Sequence, residues 1–421
     1  MKIPISWLKD FVEITLPLPE LAQLLTMAGL EVEHIDYIGL PLPQSSLAGH
    51  ASVTENSESL LSGLSWEPDK IVTASVIEVM PHPNADRLVL CRLFDGEREQ
   101  IVLTGAPNLY PYKGLGPLPQ PLKVAYARQG ARIYDGHQPG QVITTLKPAK
   151  IRGIESYSMI CSEKELGISD DHEGVIILDD DAPVGIPLVD YIGDAVFDVN
   201  ILPNTARAAN ILGVAREVAA LTGQPLHIPA DFFQFPTGGP EISTKASIEI
   251  TNPELNPRFV LGLIQNVTIK PSPYWVQRRL KLAGMRPINN IVDVTNYAML
   301  EVGEPLHAFD YDVLVRRAAG NPPTIITRTA LPGERLTTLD GMDRSLDPFT
   351  VLVCDTAGSL SIAGVMGGAE SEVYDAPGSA DANEFETPPR QIAPNKPTTT
   401  NVLLEGAAWN NINVRKTVGA Q

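Results

Sequence analysis

The stretch from Pro287 to Asp310, PINNIVDVTNYAMLEVGEPLHAFD, holds the densest chemistry in the sequence. Asn289, Asn290, Asp293, Thr295, Asn296 and His307 are set there among apolar residues. A packed core tolerates so many polar groups only when each has a partner, and a pocket built for a polar ligand supplies such partners. His307 stands in EPLHAFD with Asp310 close behind, so its imidazole is either a hydrogen-bonding residue of a turn or part of a site. Glu405, in NVLLEGAAW, follows three apolar residues in what should be a buried strand, where a carboxyl needs an ion-pair partner or a ligand. In LSIAGVMGGAESEV the small residues Ala363, Gly364, Gly367 and Gly368 let backbone approach a ligand closely. Arg286, beside Pro287 at the mouth of the polar stretch, is a candidate for holding a phosphate or ribose, whereas Arg258 reads as readily as a surface ion pair. There is no GxSxG elbow, no HExxH and no cysteine beside a base, which leaves a positioned water for any hydrolysis.

A second constellation lies nearer the N-terminus. His82–Leu93, HPNADRLVLCRL, places a turn before a strand, so Asn84 and Asp86 serve turn amides or a ligand. Lys147, Lys150 and Arg152 form a compact basic cluster, followed by Glu155, Glu163, Lys164 and Glu165; mixed signs fit a solvated face as well as a phosphate contact. The chain carries a net charge of -18 with a pI near 4.8, so any contact with a polyanion must be local.

These residues need elements to position them. The length of 421 residues suggests about three domains at roughly 150 residues each. Cys91, Cys161 and Cys354 show no metal-ligand spacing, and no run approaches the roughly 18 apolar residues of a membrane span, so a cytoplasmic protein without membrane contact is expected. Residues 1–40 read as a small module of two short helices, the first capped by Ser6 and the second over Pro19–Ala28, completed by residues 167–200. Residues 41–68, rich in Ser, Pro and Gly, read as an insertion or linker. Over 69–166 come VTASVIEV, LVLCRLF, EQIVLTG, KVAYA and GQVITTL, five short strands that fit an OB-type β-barrel, with GLGPLPQPL at 114–122 as a loop because prolines disfavour a central strand. Residues 201–421 read as a larger α+β domain with helices at Ala206–Leu221 and Pro273–Ala283, the latter capped by Ser272, and a mobile loop at 374–400. The fold class expected is therefore α+β multidomain.

Several of these motifs carry a resemblance. The Pro287–Asp310 stretch is similar to the NNxVDxTNYxxLExGxPxHAFD pattern in the editing domain of the bacterial phenylalanyl-tRNA synthetase beta-subunit family. HPNADRLVLCRL, TGAPN (104–108) and KIRGIESYSMICSEKELGI (150–168) resemble that family's tRNA-binding OB domain, with Thr104 where Cys is common. PNTARAANILGVAREVAALTG (203–223) resembles its PNRxDxLxxxGxAREVAAL signature, with Thr205, Arg207 and Ala209 in place of Arg, Asp and Leu. NPRF resembles CPRY, with Asn256 for Cys and Phe259 for Tyr. The resemblance implies a beta-subunit fragment that supports Phe-tRNA formation with an alpha subunit in an alpha2beta2 heterotetramer and hydrolyses Tyr-tRNA(Phe). It implies His307, Thr295, Asn296 and Gly364 as catalytic residues, Glu405, Ala363, Asn290 and Arg286 around the substrate, and Lys147, Lys150, Arg152 and Asn84 on tRNA. No cofactor or metal is expected in this chain; ATP and Mg2+ serve the assembled synthetase. Relatives continue past VRKTVGAQ, so truncation is expected, and a non-enzymatic tRNA-binding or subunit-assembly module is the alternative.

Overall fold

The computed structural model describes residues 1–43, 61–233, 240–374 and 397–420. It is a mixed α/β structure in two compact units, one of Met1–Pro229 with Pro273–Pro287, the other of Ala230–Ser272 with Ile288–Gln421.

In the first unit, Asp194–Asn200 pairs antiparallel with both Lys2–Pro4 and Glu31–Gly39, so distant segments of sequence share one sheet. Leu61–Ser65 adds a fourth strand, parallel to Glu31–Gly39, and Trp66 behind it is buried, so this end of 41–68 is sheet rather than linker. Residues 44–60 lie outside the described residues. Ser6 does not cap the first helix, Ile5–Leu8, but lies inside it and donates through its hydroxyl to Asp194 at 2.5 Å. The second helix, Leu18–Met27, stops at Gly29, whose φ of +94 costs glycine nothing.

The OB-type sheet orders its strands Met159–Ile160, Pro117–Ala127, Ile71–Pro81, Val89–Phe94 and Glu99–Thr104, and its first and last strands approach one another. Two expectations change here. Pro117–Ala127 is a strand despite its prolines, because the register with Ile71–Pro81 jumps from Leu122 to Pro117 and Met159–Ile160 reaches only Tyr126 and Ala127 on the other side. Pro119 and Pro121 thus fall where no ladder bond is required. GQVITTL is not a barrel strand: Ile143–Thr145 pairs with Arg132–Tyr134 in a separate ribbon, with Val142 and Ile143 exposed.

The helix Tyr274–Leu282 belongs to the first unit, held by buried Arg278, which donates to Asp194 at 3.1 Å and to the Ile192 carbonyl at 2.7 Å. Its first amides are accepted by Asp179, while Ser272 donates to Asp293 instead of capping. Asn210 caps the helix Ile211–Thr222; the residues before it, Pro203–Ala208, form a 3-10 turn rather than the start of that helix.

The second unit packs two sheets face to face. One orders Ser247–Ile250, Thr324–Thr329, Val351–Asp355, Gly358–Ile362 and Met366–Gly367; the other places Asn401–Ala408 between Arg258–Gln265 and Leu306–Asp310. Phe259, Phe309 and Leu403 meet Ile325, Val351, Val353 and Leu360 in the core between them. Buried Asn256 joins the layers, donating to the Arg258 and Ala408 carbonyls and accepting from the Thr327 hydroxyl. Of the loop expected at 374–400, residues 375–396 lie outside the described residues.

Candidate functional site

Strand register brings two chemically active side chains together. Glu405 lies opposite His307 on one flank and opposite Leu261 on the other. Directly opposed residues of antiparallel strands point to the same face with Cβ atoms about 5 Å apart. That face is the interior one, since Leu403 and Phe309, two residues away on the same strands, belong to the core between the sheets.

Neither polar group is satisfied. Glu405 Oε2 and His307 Nε2 are both buried and have no hydrogen-bond partner among the described residues. Burial pushes the Glu405 carboxyl up to about 8 and the His307 imidazole down to about 4, so each favours its uncharged form at neutral pH. The His307 ring is fixed by packing instead. It meets Phe309 edge-on at 4.5 Å, and a Cβ on Gly367 would stand 2.5 Å from His307 Cε1 and 2.9 Å from Leu339 Cδ1. Gly367 is thus bare because the imidazole occupies the space.

The other expected site residues have various placements. Ala363 is buried in the same core, and Gly364 follows it in a turn closed by the Val365 amide to the Ile362 carbonyl. Gly364 has φ +67, and a Cβ there would press on Trp409 at 3.0 Å. Asn289 caps the helix Asn290–Val302, and the Asn290 side chain accepts from the Lys270 amide and donates to the Thr268 carbonyl. Asp293 accepts from Ser272 and from the Ile288 amide. The polar density of this stretch is therefore largely self-satisfied, contrary to its reading as a pocket wall.

Thr295 donates to the Val292 carbonyl, and Asn296 is half-buried beside it. Their helix packs through Ile291 with Val402, Leu404 and Ala308, residues of the opposite sheet face from Glu405 and His307. Asp310 is not a partner of His307: it caps the helix Tyr311–Arg317 and accepts from Thr399. Arg286 is exposed and belongs to the other unit, while Arg258 is exposed at the end of its strand.

In the first unit, Lys150 and Arg152 lie on a hairpin of Ala149–Ile151 and Ile154–Ser156. Arg152, with φ +48, and Gly153, with φ +94, form its two-residue tip. Lys147, Lys150 and Arg152 are exposed, and none makes an ion pair among the described residues. Asn84 is exposed too, with its backbone amide donated to His82 Nδ1. Among the described residues no group of three or more His, Cys, Asp or Glu could hold a metal, and no helix is long and apolar enough to cross a membrane.

Comparison with known proteins accounts for both halves. Residues 255–377 match the family described as "B3/4 domain", and residues 136–187 match the family described as "Putative tRNA binding domain". The phenylalanine-tRNA ligase beta subunit of Moorella thermoacetica is 40% identical over 425 residues, covering 99% of this chain and 44% of that protein. The chain is homologous to phenylalanine-tRNA ligase beta subunits. Those of Dehalococcoides mccartyi strain CBDB1 and Geobacter sulfurreducens are each 38% identical over 99% of this chain and 43% of their own length. It thus spans less than half the length of these curated relatives. A solved MetRS related protein from Pyrococcus horikoshii, at 19% identity over 28% of this chain, has a TM-score of 0.19, too low to carry a structural argument. Glu405 lies beyond the B3/4 match, but its strand pairs with Leu306–Asp310 inside it.

Sequence reasoning singled out Glu405 and His307 and, through the resemblance, expected both in one pocket. It missed Leu261, Phe309 and Leu339 as their neighbours. Of these, Phe309 was within reach, because a residue two places along a strand from His307 shares its face.

Proposed function

We propose that this chain is the editing part of a phenylalanyl-tRNA synthetase beta subunit and hydrolyses the ester joining tyrosine to tRNA(Phe). The observation that carries this reading is the opposed pair Glu405 and His307, each with a buried polar atom left without a partner among the described residues, on strands of which the one bearing His307 lies inside the B3/4 match. An unmade hydrogen bond in a native interior costs about 1–3 kcal/mol, and a ligand that makes the bond recovers it. A synthetic site shaped for a benzyl group rejects an added hydroxyl poorly, whereas a site built to bond that hydroxyl rejects the analogue lacking it strongly. Glu405 is the reader of the phenol in this scheme.

The imidazole, held near 4, is a weak base at neutral pH. His307 therefore orients the ester and an attacking water, and Gly364 supplies a backbone donor at the turn after Ala363. Thr295 and Asn296 act by supporting the strand that follows their helix. The hairpin bearing Lys150 and Arg152, with Lys147 just before it and Asn84, contacts tRNA phosphates. In the assembled enzyme, cytoplasmic and heterotetrameric with the alpha subunit, ATP and Mg2+ serve Phe-tRNA formation and lie outside this chain.

Single-turnover deacylation of tyrosyl-tRNA(Phe) and phenylalanyl-tRNA(Phe) by the purified chain tests the proposal. Tyrosyl-tRNA should be hydrolysed and phenylalanyl-tRNA spared. Equal rates for both, or no hydrolysis of either when the alpha subunit is added, would overturn it. Neutralising Lys147, Lys150 and Arg152 together should weaken tRNA binding and flatten its salt dependence, by roughly 0.7 to 0.9 in log-log slope per lost phosphate contact.

A further inference from the structure

Glu405 is the middle member of a rung across three strands, Leu261, Glu405 and His307. A buried carboxyl normally lies within reach of an arginine, a lysine or a set of backbone amides. Among the described residues none bonds Glu405 Oε2. On the flanking strand Arg258–Gln265 the residues sharing the interior face are Phe259, Leu261 and Leu263, none of which titrates. On Leu306–Asp310 they are His307 and Phe309, and the imidazole is held uncharged by its own burial. On Glu405's own strand they are Leu403 and Ala407, and Gly367 of the facing sheet abuts His307. Glu304 approaches Gly406, which points to the opposite face. Among the described residues no charged group offsets the burial that pushes the carboxyl up.

We propose that Leu261 is the residue that tunes specificity at this site, by holding Glu405 as an uncharged acid that both donates to and accepts from a phenolic hydroxyl. The inference rests on the editing reading above and sharpens its recognition step. A carboxylate offers acceptors only, whereas a carboxylic acid offers one donor and one acceptor, matching the two capacities of a phenol. A substrate with a bare ring makes neither bond. Leu261 acts through Glu405 and touches neither the ester nor the water: its side chain excludes from that flank any donor that would favour ionisation. Leu261→Gln would place an amide donor in the same position and stabilise the carboxylate.

The decisive measurement does not need catalysis. Infrared difference spectra between the wild-type chain and Glu405→Gln should show a protonated-carboxyl band at pH 7 that titrates away with a midpoint near 8. Leu261→Gln should lower that midpoint by at least one pH unit, a tenfold change in proton affinity. Leu261→Met, close in volume and equally apolar, should leave it in place. In parallel, the rate of tyrosyl-tRNA deacylation should break downward at the same midpoint in wild type and at the lower one in Leu261→Gln. Glu405→Gln should show no break. Comparing variants on one substrate cancels titration of the substrate's own amino group.

Absence of the band at pH 7 in the wild type would overturn the proposal even if Leu261→Gln failed to fold. So would a midpoint that is the same in Leu261→Gln as in Leu261→Met. A band that behaves as expected in a chain that hydrolyses no tyrosyl-tRNA would leave the tuned acid standing and remove the editing reading instead.

Discussion

Asp194 and Glu405 are both carboxyls buried in sheets, 3% and 6% exposed, yet their surroundings differ completely. Asp194 accepts from the Ser6 amide at 2.9 Å, from the Ser6 hydroxyl and from Arg278, whose guanidinium is itself buried. Glu405 has an oxygen without a partner among the described residues and faces a neutral imidazole and a leucine. The first is a closed network whose product is the docking of one helix. The second is an open one. A protein that leaves a buried acid unsatisfied forgoes stability there, and at a site a ligand completes the bonding.

The contrast can be broken most forcefully at Arg278. Arg278→Ala strands Asp194 as an uncompensated buried charge and should cost about 3–5 kcal/mol in urea denaturation. A loss below about 1 kcal/mol would remove the network from the structural role given to it. Glu405→Ala should reverse the pattern, with at least a roughly 100-fold fall in tyrosyl-tRNA deacylation, by analogy with other hydroxyl-reading sites. Its loss of stability should be smaller than that of Arg278→Ala, because no ion pair is broken.

A pH series separates the two buried groups of the rung. Glu405 is raised from its ordinary 4.5 to about 8, so the folded state holds its proton more tightly than the unfolded chain, and stability from this group is lost as pH rises through that window. His307 is lowered from 6.5 to about 4, so its contribution runs the other way and is lost as pH falls through that lower window. The slopes oppose each other up to about pH 6.5, and only the Glu405 slope remains from there to about 8. Over that upper interval the wild type should lose up to about 1.4 kcal/mol per pH unit relative to Glu405→Gln in urea titrations. A parallel course of the two proteins would place Glu405 in a more polar setting than the rung shows. The smallest effect belongs to Asn290→Ala, which removes two side-chain bonds to backbone and should cost about 1 kcal/mol, changing deacylation only through that loss.

Local signals in the sequence were reliable where chemistry is local. Gly29, Gly223 and Gly284 lie just past helix ends with left-handed φ, as glycine there suggests. The NVLLE segment is a buried strand. Reading failed where a residue's partner comes from elsewhere. Ser6 looked like a cap because its neighbours allow one, yet Asp194, 188 residues away, takes its hydroxyl. The prolines of 114–122 argued against a strand, but a register jump on one side and a short neighbour on the other left their positions free of ladder bonds. Asn290 and Asp293 looked like ligand-binding groups because a sequence displays polar side chains without showing the carbonyls and amides that consume them.

The chain's own order of residues determined which groups carry chemistry, where helices stop and which family the motifs resemble, because side-chain type and short-range spacing act through neighbours a few residues apart. Which polar groups are spent and which are kept in reserve was decided only by tertiary structure. Glu405 and His307 are separated by most of a domain in sequence and meet through antiparallel register. Whether a buried acid is charged depends on every side chain around it, and those come from three strands and a facing sheet.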